Sequence, residues 1–303
     1  MKHHQPFQIL LASVTVLLFT GCLRLDFTLF NPNHEITEYR FDDWEGDWNF
    51  TLDASQDIPD SLIHVFTVPS QTADETEPTN IYASYIGDLD RIATDTVILY
   101  MHGNSWHMDA YWPRVKLLAN LGGKNRFGIM EMDYRGYGLS EGTPSEAGMY
   151  ADVQACIDWL EARGLTGDRL AMYGFSLGTA PATELTANPS SLTPKWLLLE
   201  APFASSEVMA QDGSGLAFPG SFFTNIKIDN AEEIKKVDQP FFWIHGIADE
   251  FLDFENHGEV VWKNYSGVRG VDVRVPEADH GDVPLIMGLE AYSQAVLEFL
   301  LSE

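Results

Sequence analysis

The sequence predicts an α/β fold: a mostly parallel central sheet with helices on both faces. Three observations predict it. Six short apolar runs alternate with stretches of helical character. One run leads into a glycine-framed serine, Gly174-Phe175-Ser176-Leu177-Gly178, followed by a helix-like segment. The residue types that carry chemistry all fall just after a predicted strand, where open α/β sheets build their sites.

The elements follow in chain order. Lys2 and the apolar run Phe7 to Phe19 read as a targeting segment, too short to span a bilayer as a permanent helix. Phe19-Thr20-Gly21-Cys22 resembles the lipobox of bacterial lipoproteins. The resemblance implies a signal peptide over 1–21, cleavage before Cys22 and lipid (palmitate) on that cysteine. Leu23, rather than aspartate, follows it, so the resemblance implies an outer-membrane lipoprotein of a Gram-negative cell envelope. An ordinary signal peptide cut nearby is the alternative. Residues 22–60 are acidic and aromatic and read as a tether or an added hairpin; residues 61–303 form the main domain. Gln71 to Thr79 is a polar loop.

The strand candidates are Thr96 to Met101, Gly128 to Met132, Leu170 to Tyr173, Trp196 to Leu199, Phe241 to Ile244 and Val271 to Val275. The first of them, Thr96 to Met101, is a continuous apolar run that suits a central parallel strand. Between the second and third, Thr143 caps a helix, Pro144 opens its first turn and Glu146 completes a capping box. Met149, Val153, Cys156, Ile157 and Leu160 form its apolar face, and Gly164 ends it. Cys156 therefore reads as a small buried residue, not a nucleophile. A last amphipathic helix runs from about Leu289 to Leu301.

Composition removes several function classes. The 303 residues carry a net charge of -27, from 18 basic and 45 acidic residues. No basic stripe neutralises phosphates, so nucleic acid is excluded as a partner. An anionic membrane surface is a poor platform for the same reason. Neither HExxH nor a His/carboxylate cluster at ligand spacing is present, so no metal and no other cofactor is expected.

The serine at the sharp strand-to-helix turn needs glycine on both sides, because side chains there would collide with the neighbouring strand and helix. That geometry pushes the Ser176 hydroxyl out of the sheet. Of the nine histidines, His280 follows the sixth strand, where a loop carries its imidazole to the serine. His102 and His245 sit in HG turns and read as structural. Asp249, three residues past Gly246, is the candidate to orient the imidazole, with Glu250 and Asp253 as competitors. Backbone N–H groups of Asn104, in His102-Gly103-Asn104, and of Leu177 are candidates for an oxyanion hole.

From about residue 80 onward the chain resembles the α/β-hydrolase superfamily. Asp133-Tyr134-Arg135-Gly136-Tyr137-Gly138-Leu139-Ser140-Glu141-Gly142-Thr143-Pro144, Glu200-Ala201-Pro202-Phe203 and His245-Gly246-Ile247-Ala248-Asp249 are similar to motifs of its BEM46-like members. The resemblance implies Ser176 as nucleophile, Asp249 as acid and His280 as base. It implies hydrolysis of an ester, thioester or amide of a small acyl substrate, without cofactor. A carboxylesterase leads; peptidase and thioesterase activities use the same parts. A lipoprotein using the fold only to bind a partner is the non-enzymatic alternative.

Two departures bear on substrate shape. Trp106 and His107 follow the HGN turn where the family has a small residue, and are expected to narrow or line the acyl pocket. Pro181 is expected to kink the helix after the serine. Residues 204–236 are expected to form a short cap, or else a surface excursion with Phe222 and Phe223 in the core.

Overall fold

The computed structural model describes residues 29–32, 35–46, 50–124, 126–216 and 218–302. The targeting segment, Cys22 and His34 lie outside the described residues.

Eight strands form the main sheet: β2 (Ile63–Ser70), β3 (Thr79–Ile86), β4 (Val97–Met101), β6 (Gly128–Met132), β7 (Leu170–Phe175), β8 (Trp196–Glu200), β9 (Phe241–Gly246) and β10 (Gly270–Val275). Their spatial order is β10-β9-β8-β7-β4-β6-β3-β2. The five pairings from β10 to β6 are parallel, whereas β3 runs antiparallel to both β6 and β2. All six expected strands are present, and the polar loop at 71–79 joins β2 to β3.

The central strands are buried throughout, and their successive side chains point to opposite faces of the sheet, which is what separates the two cores. Val97, Leu99 and Met101 face one cluster with Met149, Val153, Cys156, Ile157 and Leu160 of α2 (Glu146–Glu161). Ile98 and Tyr100 face the other, with Trp112 and Val115 of α1 (Met108–Ala119) and Val296 and Phe299 of the C-terminal helix (Leu289–Leu301). Cys156 is fully buried on its helix, and burial pushes its thiol pKa up.

Two expectations, the cap of α2 and the kink at Pro181, are corrected, and the described part of residues 22–60 takes a form of its own. The helix α2 is capped by Ser145, whose hydroxyl accepts the Gly148 N–H, not by Thr143. The start shifts by two residues because Ser145 has the extended backbone a cap needs. No hairpin arises from 22–60 among the described residues. There Asn31–Pro32 (β1) pairs in parallel with Ser105–Trp106 (β5), outside the main sheet. The edge hairpin of the main sheet is instead β2–β3. Pro181 falls in the first turn of α3 (Thr179–Ala187), where backbone N–H groups have no partner within the helix, so it costs no hydrogen bond there.

Candidate active site

Ser176 sits between the end of β7 and the start of α3 at φ +53°, a left-handed conformation rare for a residue with a side chain. The two glycines make the turn possible. A Cβ on Gly174 would stand 2.4 Å from the Gly178 carbonyl oxygen, and one on Gly178 would stand 2.1 Å from the Met101 carbonyl oxygen at the end of β4. Neither distance is physically available to a side chain.

The loop after β10 carries His280 to this turn. His280 Nε2 lies 2.8 Å from Ser176 Oγ, and Nδ1 lies 2.8 Å from Asp249 Oδ2. Residues 104 and 31 positions apart in the chain thus meet at one rim of the sheet. Of the three acids considered, Asp249 is the one that reaches the imidazole. Glu250 and Asp253 line the neighbouring cleft instead.

Asp249 is buried yet held as a carboxylate. Burial alone pushes its pKa up. Hydrogen bonds from His245 and His280 outweigh that and hold it well below the usual carboxylate range. Its Oδ1 also accepts the N–H groups of Phe251 and Leu252, at 2.9 and 2.7 Å. An ionised carboxylate only accepts, so the proton at its contact with His280 belongs to Nδ1. That tautomer leaves Nε2 as an acceptor facing the serine hydroxyl. His245 Nε2 faces two acceptors, Asp249 Oδ2 at 3.1 Å and the Leu252 carbonyl at 3.3 Å, so it too carries its proton there. His102 is buried, its Nδ1 2.7 Å from the Gly103 carbonyl and its Nε2 3.1 Å from Asp133. Both HG-turn histidines are thus structural.

Sequence reasoning missed two supports of the His280 loop. The ring of His280 lies between Phe175 and Phe251, with centroids 5.3 and 5.0 Å away. Arg114 on α1 donates to the carbonyl of Gly281, at 2.8 Å, and pairs with Glu200. No local pattern signals Arg114; it matters only because the topology puts α1 beside the β10 loop.

Asn104 and Leu177 line a cavity of about 10 Å³ together with Ser176, Leu29, Phe203, Met209, Phe251 and Leu252. That is room for about one water. A cleft of about 640 Å³ lies alongside and shares Leu29, Met209, Phe251 and Leu252 as walls. Trp106 and His107 line neither, contrary to expectation. Their rings pack on Trp44 of the N-terminal segment, with centroids 6.0 and 5.5 Å away. Within 204–236, a helix over Ser206–Ser214 lends Ser206, Met209, Ala210, Asp212 and Gly213 to the cleft. Phe223 is buried, whereas Phe222 is exposed, so the pair does not enter the core together.

A family model described as serine aminopeptidase, S33, matches residues 93–236. The alpha/beta hydrolase domain-containing protein 17B of Homo sapiens is 32% identical over 215 residues, covering 68% of this chain and 67% of that protein. An uncharacterized protein, YfhR, of Escherichia coli K12 is 28% identical over 209 residues, covering 68% and 70%. Among solved structures, the Pyrococcus furiosus esterase Pf2001 superposes with a TM-score of 0.63 at 18% identity, over 90% of this chain and 96% of that one. At that identity the likeness speaks to fold alone.

Proposed function

The chain belongs to the α/β-hydrolase family, and from that premise we propose that it is a serine hydrolase cleaving carboxylic esters of small acyl groups through an acyl-enzyme. The observation that carries the proposal is the unbroken hydrogen-bonded series from Ser176 Oγ through His280 to Asp249.

In this reading His280 Nε2 takes the Ser176 proton as Oγ attacks the substrate carbonyl carbon. The carbonyl π pair moves to oxygen, and the N–H groups of Asn104 and Leu177 hold the resulting oxyanion. The pair then reforms the carbonyl, and the bond to the leaving group breaks as that group takes the proton from His280 Nε2. Water repeats the sequence on the acyl-serine and releases the acid. Asp249, kept ionised, stabilises the imidazolium formed in both halves. Ser176→Ala is expected to abolish turnover of p-nitrophenyl acetate, with near-native circular dichroism. Unchanged turnover in that variant rejects the assignment.

The description of the matched family model favours a second reading, in which the substrate is a peptide with a free amino terminus. Asp212, Glu250 and Asp253 around the cleft suit a cationic end. Comparing kcat/KM for amino-acid p-nitroanilides with that for p-nitrophenyl esters separates the two.

We also propose the lipid anchor at Cys22, supported by the sequence of residues 1–23. Among the described residues no helix is long and apolar enough to cross a membrane. Cys22→Ser is expected to abolish metabolic labelling with palmitate; retained labelling refutes the anchor.

A further inference from the structure

Leu29 is one of the four residues that line both the small cavity at Ser176 and the large cleft beside it. The other three, Met209, Phe251 and Leu252, come from the body of the hydrolase domain. Leu29 comes from the N-terminal segment, upstream of residues 93–236 that match the family model. It is buried and packs into the core on the α2 side of the sheet.

Its position is fixed by the residues just after it. Asn31 and Pro32 pair with Ser105 and Trp106. The Asn31 N–H donates to Asn104 Oδ1 at 2.8 Å and to the Tyr137 hydroxyl oxygen at 3.1 Å, while the Tyr137 hydroxyl itself donates to Asn104 Oδ1 at 2.9 Å. Asn31 Nδ2 donates to Ser105 Oγ at 3.3 Å. The segment is therefore strapped to the same turn that presents Asn104 to the serine. Leu29 cannot drift from the cavity without breaking that strap.

The space at the serine, about 10 Å³, is room for about one water, whereas the cleft beyond, about 640 Å³, has the volume for a chain of many carbons. We propose that Leu29 is a specificity residue: its side chain is the partition that stops a straight acyl chain at Ser176 from running on into the cleft, and so confines the enzyme to short acyl esters. This rests on the serine-hydrolase reading above. Removing the isobutyl group joins the two spaces. Enlarging it closes the passage further.

The test is an acyl-length series of p-nitrophenyl esters, acetate to octanoate, on the full chain. The quantity read is the ratio of kcat/KM for octanoate to that for acetate. That ratio does not depend on how much of a variant is folded, because the active concentration cancels. Leu29→Ala is expected to raise it by about tenfold or more, since each methylene accommodated in an apolar pocket is worth roughly ten- to 200-fold. Leu29→Trp is expected to lower it. Ser176-dependent turnover with the same ratio in wild type and both variants overturns the partition and leaves the hydrolase reading intact. Wild-type turnover that survives Ser176→Ala overturns the serine-hydrolase reading, and no ester turnover at all overturns the ester reading; either result takes the partition with it.

Discussion

Ser176 is held in a left-handed conformation because its neighbours leave the chain no other way to turn, and this kind of strain persists only where the surroundings over-determine it. A second residue is held out of its ordinary state by its surroundings. Asp109, on α1, is buried, and its carboxyl pKa is pushed up to about 6. Burial is the main cause and the nearby Asp133 adds to it. The N–H groups of Phe41 and Arg40, which bond its oxygens, oppose it, and His107 Nδ1 stands 3.8 Å away. The unfolded carboxyl titrates near its ordinary value of about 3.9. Between roughly pH 4 and 6 the folded chain therefore keeps a proton that the unfolded chain has released. Stability from this group is greatest at the acid end, declines as pH rises through that window and is level above it. Asp109→Asn has no such term. In urea unfolding at a series of pH values, the stability of wild type relative to the variant is expected to fall between pH 4 and pH 7. Parallel pH profiles would dismiss the idea.

At the scale of elements, one buried ion pair joins three parts of the fold. Arg114 from α1 meets Glu200 at the end of β8, and both are almost wholly buried. Tyr173 and Tyr292 donate to the other oxygen of Glu200, each at 2.9 Å. Arg114 also holds the Gly281 carbonyl next to His280. Removing one partner strands the other charge in the core, which typically costs about 3–5 kcal/mol. Arg114→Leu is expected to lose stability on that order in urea melts, and Arg114→Leu with Glu200→Leu to lose less. A single variant within about 1 kcal/mol of wild type contradicts this account. Strands β4, β6, β7, β8 and β9 were legible because runs such as Phe241-Phe242-Trp243-Ile244 are largely apolar on both faces, and β10 because Val271, Val273 and Val275 alternate with Asp272 and Arg274. The β2–β3 hairpin was not. It carries Pro69 and interior polar residues such as Ser84, which bonds Glu131 across the sheet. Its alternation reads as an edge only once its partner strand is known. Ser176 and His280 were legible because each follows a strong strand signal within a short turn. Arg114 and Leu29 were not, because what brings them to the site is the packing of α1 and of the N-terminal segment, which no local pattern encodes.

The whole molecule adds a long-range field to these local contacts. The chain carries 45 acidic residues against 18 basic ones. Several of those cations are already spent on buried acids, as Arg135 is on Asp152 and Arg114 on Glu200. Neither the cleft nor the cavity at Ser176 is lined by Lys or Arg, and the cleft is lined by Asp212, Glu250 and Asp253. A substrate with a free carboxylate therefore meets repulsion both on approach and at the cleft. Mobile ions shorten the reach of that repulsion, from about 30 Å at 0.01 M salt to about 10 Å at 0.1 M. A neutral ester feels no such barrier. For p-nitrophenyl hemisuccinate, kcat/KM is accordingly expected to rise roughly two- to fivefold over that range, a modest share of the steering effects charge can produce, while the value for p-nitrophenyl butyrate stays level. Identical salt responses for the two esters would mean that the negative field does not reach the site, and that exclusion of anionic substrates plays no part in what this enzyme accepts.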